Sequence, residues 1–252
     1  MSDKKFDTAV CEDSRNVDKM LSPSSVNLSV VVGPSFDLNS DRSKKLEDFV
    51  SIMKKVAKIT KPGGICCLIL TDEIDYEKDV MVPAVKEIFQ KVVGISEMSA
   101  DWSAREEIIW VKSSQDSVES LNKMKTGVMV NFDQTPFSQI LVLEKKGAFT
   151  EYLDIEDRTN RLHLPEQKKS EMRDSVWFVQ PKSAKSYRDV VPKEIVSRLV
   201  LIYSQEGDLV LDPFAGDGVT GAVAKTLRRH FLCIDKNEER VKHANKRFSQ
   251  TS

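Results

Sequence analysis

Gly207-Asp-Leu-Val-Leu-Asp-Pro-Phe-Ala-Gly-Asp-Gly-Val-Thr220 joins a short apolar, β-prone run to a glycine-rich turn and then to residues suited to a helix. Leu209, Val210 and Leu211 read as a buried strand, and Asp212 supplies a carboxylate at its end. Gly216 and Gly218 let the backbone turn tightly and approach a ligand closely. A helix is expected from about Val219. Roughly twenty residues beyond Asp212 a second strand, His230-Phe-Leu-Cys-Ile234, ends in another acid, Asp235, where a ribose hydroxyl pair would be bound. A Gly-x-Gly alone signals only a turn. The sequence of strand, turn, helix, strand and acid points to a nucleotide pocket in an α/β sheet.

The stretch Asp212-Pro-Phe-Ala-Gly-Asp-Gly-Val-Thr220 resembles the S-adenosylmethionine motif D-P-F-x-G-x-G-T-T of the amino-group DNA methyltransferases. The resemblance is specifically to the permuted class, in which the catalytic motif precedes the cofactor motif. It implies S-adenosyl-L-methionine as cofactor. The turn Asp212, Pro213, Phe214, Ala215 and Gly216, with Gly218, would cradle its methionine part. Thr220 lies on the following helix and Asp235 would meet the ribose. Val219 replaces the first threonine of the usual pair, which weakens a contact without abolishing the pocket.

The resemblance extends over nearly the whole chain. Cys11-Glu-Asp13-Ser-Arg is similar to the family's opening G-D-S/C segment, which makes Asp13 a candidate for the adenine, the alternative being an exposed acid in a polar loop. Phe49 to Val56 shows helical apolar spacing and leads through Lys61-Pro-Gly-Gly64, read as a turn, into the strand Ile65 to Leu70. Gly94-Ile95 followed by Glu106 to Lys112 looks like the family's strand ending in Trp and Lys. Pro136 to Lys145 matches a strand usually entered through His-Glu, here Ser138-Gln139.

The strand Val26 to Val32 delivers Gly33-Pro34-Ser35-Phe36, where the family has S-P-P-Y/F for cytosine N4 or D-P-P-Y for adenine N6. An exocyclic amine is a poor nucleophile because its lone pair is delocalised into the ring. Acceptors must hold its pyramidal form, aligned on the methyl donor. By resemblance Pro34 and Ser35 would position the amine, while Phe36 would stack a base extruded from the duplex. Gly33 has no side chain to accept anything, and the hydroxyl has in effect moved to Ser35. Three readings stay open: an active divergent site, a cofactor-binding partner subunit with weak or absent catalysis, and a plain Gly-Pro-Ser turn.

Composition sets the remaining bounds. A chain of 252 residues with 40% hydrophobic content can bury one substantial core, and one domain is expected over 1–252. Its catalytic region would span 1–112, a variable or lid region 113–180, and the cofactor region 181–252. No apolar stretch is long enough to span a bilayer and no leader pattern is visible, so a soluble, unprocessed, cytoplasmic protein is expected. The four cysteines form neither a disulfide framework nor a Cys-x-x-Cys pattern, and the three histidines show no ligand spacing. No metal is assigned. Neither Cys66 nor Cys67 is expected to act as a nucleophile inside a buried strand.

A net charge of -1 means that contact with DNA must come from local patches. One basic stretch, 182–198, precedes the cofactor motif; a second, from Lys225 to Arg247, reads as a solvated helix face. Strands are expected at 28–32, 65–70, 107–111, 139–144, 209–211 and 231–234, and helices at 43–58, 80–92, 192–204, 219–227 and 236–247. That alternation gives an α/β, Rossmann-like methyltransferase fold, its mostly parallel sheet covered by helices on both faces. The stretches Ser113 to Asn131 and Gly147 to Asp174 read as loops or small lids, short for sequence readout. The expected activity is methyl transfer to an exocyclic amine of DNA, cytosine N4 favoured over adenine N6. A homodimer or heterodimer is compatible, and RNA or protein remain alternative substrates.

Overall fold

The segment 209–212 is a strand at the middle of the sheet, and every residue in it is buried. The computed structural model describes residues 6–33, 41–75, 80–93, 101–112, 137–147, 154–180 and 191–251. In chain order the first elements are β1 (Thr8–Cys11), a 3-10 turn (Ser14–Asn16), α1 (Val17–Met20), β2 (Val26–Val32), α2 (Arg42–Ile59) and β3 (Thr60–Leu70). A small hairpin of β4 (Glu73–Asp75) and β5 (Val80–Val82) precedes α3 (Ala84–Val92), β6 (Trp102–Val111) and β7 (Phe137–Lys145). Then come α4 (Ile155–Asn160), α5 (Glu166–Arg173), β8 (Val176–Phe178), α6 (Lys193–Tyr203), β9 (Leu209–Asp212), α7 (Val219–Thr226), β10 (His230–Asp235) and α8 (Glu238–Gln250).

Among the described residues eight strands form one sheet in the order β1-β10-β9-β2-β3-β7-β6-β8. Neighbours are parallel throughout except β7, which runs against both β3 and β6. The expected mostly parallel sheet is therefore present, with one reversed strand. Ile65 to Leu70 reads as a continuous apolar run because it lies in mid-sheet and is covered on both faces. One face packs against α1, α2 and α3, where Leu46, Phe49, Met53 and Val56 give the helical spacing of a core-facing stripe. The other packs against α6, α7 and α8 through Leu199, Val223 and Phe248, with Met172 of α5 joining them.

Several expected boundaries shift. Lys61-Pro-Gly-Gly64 is not a free turn but part of β3, absorbed as an irregularity in its pairing with β2, with Gly63 at φ 74°. Val80 to Val82, read as the start of a helix, is a strand, and the helix begins after Pro83, where Asp72 Oδ1 accepts from Val85 N. The charged stretch from Gly147 to Asp174 contains two helices. The first is capped by Asp154, whose carboxylate accepts from Asp157 N at 2.8 Å. Edge strands β1 and β8 are too short to show a period. Gly94 and the stretch Ser113 to Asn131 lie outside the described residues, as do Lys182, Lys185 and Arg188.

The helix after the glycine turn is set by close packing. A Cβ on Gly218 would lie 2.7 Å from Ala244 Cβ and 2.8 Å from Phe248 Cζ, and one on Gly221 would lie 2.6 Å from Phe248 Cζ. The Phe248 ring thus rests on two glycines and meets Phe231 edge-on at 4.7 Å between centroids. Gly221→Ala should overpack this contact and lower stability by about 1–3 kcal/mol. In a Phe248→Leu background the cost should shrink, because the opposing atoms are gone, and a double-mutant cycle by chemical denaturation reads the difference.

Candidate active site

The functional edge follows from strand direction. Because β2, β9 and β10 are parallel neighbours, their C-terminal ends open to one side of the sheet. Gly33 at the tip of β2, Asp212 at the tip of β9 and Asp235 at the tip of β10 share that edge. So does Asp13, which follows β1, where Cys11 pairs in register with Asp235.

Asp212 is buried, and its Oδ1 accepts from Phe214 N at 3.0 Å, tightening the chain around Pro213. Gly216 at φ 49° and Gly218 at φ 71° take the left-handed conformation that glycine adopts without strain. Asp235 reaches across from the next strand, its Oδ2 accepting from Gly216 N at 2.9 Å and its Oδ1 from Asn237 N at 2.8 Å. Ala215 N donates to the carbonyl of Ile234. Buried Thr220 stands in the first turn of α7. The partly buried Phe214 ring stacks on Phe49 of α2 at 5.9 Å and 28°.

Asp13 begins the 3-10 turn, accepting from Arg15 N at 2.8 Å and pairing with the Arg15 guanidinium at 2.7 Å, which holds its carboxyl below the ordinary range. Beside it, Glu12 N donates to the carbonyl of Asp235, and Ser14 Oγ donates to the carbonyl of Pro213. The N-terminal segment is thereby fastened to both acid-bearing strand tips. Gly33 N donates to Ile69 O at 2.9 Å. A Cβ at Gly33 would fall 2.3 Å from Leu70 Cδ2. Pro34, Ser35 and Phe36 lie outside the described residues. At the start of β7, buried Ser138 shares a 2.7 Å hydroxyl contact with Thr71.

The sequence reading missed three features of this edge. Gly221 completes a Gly-x-Gly-x-x-Gly spacing with Gly216 and Gly218, a signal already present in the chain, and it serves helix packing. Ser14 was visible in the quoted N-terminal segment, but its partner lies 199 residues away. Leu70 reads only as the end of an apolar strand, and nothing local marks its approach to Gly33. Cys66 and Cys67 lie buried in β3 as read from the sequence, and burial pushes their thiols up, as it does that of Cys233. Among the described residues no cluster of potential metal ligands occurs, and no helix is long and apolar enough to cross a membrane.

This arrangement defines an α/β protein of the methyltransferase fold. TTHA0409 from Thermus thermophilus, in its complex with S-adenosyl-L-methionine, superposes with a TM-score of 0.73 at 22% identity, covering 97% of this chain and 95% of that one. The PvuII DNA methyltransferase (cytosine-N4-specific) gives 0.71 at 18% identity, covering 95% and 85%. The DNA methylase family model matches residues 16–246, and the chain belongs to that family. Among curated relatives, the type II methyltransferase M2.DpnII of Streptococcus pneumoniae is 47% identical over 57 residues, and M2.LlaDCHI of Lactococcus lactis subsp. cremoris is 46% identical over 59. Those alignments cover 23% of this chain and only 21% and 22% of the relatives.

Burial raises the Asp212 carboxyl to about 6 from 3.8. Hydrogen bonds from Thr220 and Phe214 N oppose the rise and the neighbouring charge of Asp235 adds to it. Between those two values the native state binds more protons than the unfolded chain. Its contribution to stability therefore falls as pH rises through that window and is constant above it. The rise from 3.8 to about 6 limits the effect to about 3 kcal/mol. Asp212→Asn keeps an acceptor for Phe214 N without the charge. Urea denaturation at about pH 4, 5 and 7 should show the variant gaining on the wild type as pH rises, and parallel profiles would remove burial of the carboxylate as the cause.

Proposed function

We propose that this chain is an S-adenosylmethionine-dependent methyltransferase of the permuted class acting on an exocyclic amine of DNA, cytosine N4 ahead of adenine N6. The observation that carries the reading is the adjacency of β2 and β9, since it sets Gly33 at the tip of one strand beside Asp212 and its glycine turn at the tip of the other. A methyl donor and an amine acceptor need such neighbouring mouths, because alignment of the reacting atoms supplies much of the rate.

The residues of the turn suit the cofactor. A Cβ at Gly216 would meet nothing within 4 Å, so the backbone there fronts open space, and two acids, Asp212 and Asp235, tip the flanking strands. Carboxylates at a pocket suit a cationic ligand. When bound, S-adenosylmethionine supplies an electrophilic methyl group. Asp212 and Asp235 fix the course of the backbone that would hold it, through Phe214 N and Gly216 N. On the acceptor side Pro34 and Ser35 are assigned to orient the amine and Phe36 to stack the base. Direct transfer needs no covalent enzyme intermediate, in keeping with the buried thiols of Cys66 and Cys67.

Cytosine N4 is preferred because Gly33-Pro34-Ser35-Phe36 differs less from a serine motif than from an acidic one. Incubation with tritiated cofactor and separate DNA, RNA and protein pools should label DNA, and mass spectrometry of the digest should identify N4-methylcytosine. Label confined to RNA or protein would refute the DNA assignment. Calorimetric binding of cofactor without label in any pool would identify a partner subunit instead. Gly33→Ser should raise transfer above the wild-type rate, with the Leu70 Cδ2 methyl turning away from the new Cβ. Gly33→Ser combined with Leu70→Val, which removes that methyl, should gain at least as much in the same assay.

A further inference from the structure

We infer that Ser14 is a positioning residue for the cofactor turn, holding the Pro213–Phe214 peptide from its carbonyl end. The inference rests on the cofactor reading proposed above. That single peptide group is gripped at both ends: its C=O accepts from Ser14 Oγ and its N–H donates to Asp212 Oδ1 at 3.0 Å. A peptide is rigid and planar, so rotation that frees one end swings the other. The Ser14 hydroxyl and the Asp212 carboxylate therefore act as two hands on one plate.

The surroundings make Ser14 suited to this task. Pro213 has no N–H to offer, and its carbonyl lies at a buried position between strand and helix, where neither ladder supplies a donor. Ser14 is itself 8% exposed and belongs to a turn braced from three directions. Asp13 binds Arg15 through backbone and side chain, Lys55 of α2 donates to the carbonyl of Arg15, and Glu12 N donates to Asp235 O at 3.2 Å. The hydroxyl thus arrives on a fixed arm. Without it the Phe214 amide and the open backbone at Gly216 lose their reference, and the pocket must be ordered by the ligand instead of before it arrives.

The test uses S-adenosyl-L-homocysteine titrated calorimetrically into the full-length wild type, Ser14→Ala and Ser14→Thr, each with its thermal midpoint measured in the absence of ligand. Ser14→Ala should bind about tenfold more weakly, equivalent to about 1.4 kcal/mol. Ser14→Thr, which keeps the hydroxyl, should stay within about twofold of the wild type. Equal affinity in wild type and Ser14→Ala, even with a lowered midpoint, overturns the inference by making Ser14 purely structural. Equal weakening in both variants does so too, since the hydroxyl would then be irrelevant. If Ser14→Ala does not fold, Ser14→Cys, a weaker donor of similar shape, should give an intermediate affinity, and wild-type affinity there counts against the role. Absence of binding by the wild type removes the cofactor reading itself, and this inference with it.

Discussion

Parallel pairing of β9 between β2 and β10 is the constraint on which the rest depends. It gathers Gly33, Asp212 and Asp235, from distant parts of the chain, at one edge of the sheet. Parallel strands require crossovers, and the crossover between β9 and β10 is α7, a helix of only eight residues. So short a connection works because its glycines let α7 and α8 close down on the sheet. Phe248 marks how near that approach is: its ring occupies the volume that side chains at Gly218 and Gly221 would fill. Gly218, which turns the chain in the left-handed conformation, therefore also seals the core beneath it.

The electrostatic arrangement has a matching logic. Burying the Asp212 carboxylate is unfavourable, and its raised proton affinity records that cost. Its two hydrogen-bonding neighbours offset part of the cost while shaping the turn, so the charge is held where a neutral side chain would pack more comfortably. A buried acid beside a second acid, Asp235, is poorly placed for stability alone. The pair makes sense in the turn it builds, where Asp212 accepts from Phe214 N and Asp235 from Gly216 N. The overall charge of -1 plays little part in this, because the charge that acts on Asp212 is the local one of Asp235 on the neighbouring strand tip.

Legibility in the sequence tracked how local the determining physics is. The strand ending at Asp212, the following helix and the strand ending at Asp235 were all readable, because apolar runs, turn glycines and helix caps act between near neighbours. Asn237 shows how local such a signal is, capping α8 by accepting from Glu239 N and Arg240 N, although it was not singled out from the sequence. The helices between Ile155 and Arg173 were not readable, since they are polar and short and rely on contacts such as Arg173 to Thr159 at 2.8 Å. The partnership of Ser14 with Pro213 was beyond reach for a related reason. Hydrogen bonds across 199 residues leave no periodic trace, and only the fold brings the two together.

Gly33 and Leu70 extend that argument to the catalytic position. Read along the chain, Gly33 is a loss, a family acceptor replaced by a hydrogen atom. Read across the sheet, it belongs to a complementary pair, because the Leu70 methyl lies where a Cβ at position 33 would stand, on the face of the sheet that packs against α2 and α3. The φ of Gly33 is not among those in the left-handed region, so nothing in its backbone demands glycine. The constraint is steric and comes from the neighbouring strand. A side chain at position 33 requires the Leu70 methyl to turn aside, and the cost depends on how far the surrounding close-packed layer lets it move. The departure from the family motif is thus not a defect confined to one loop. It is part of how the β2 and β3 tips fit each other, with Gly33 N also donating to Ile69 O.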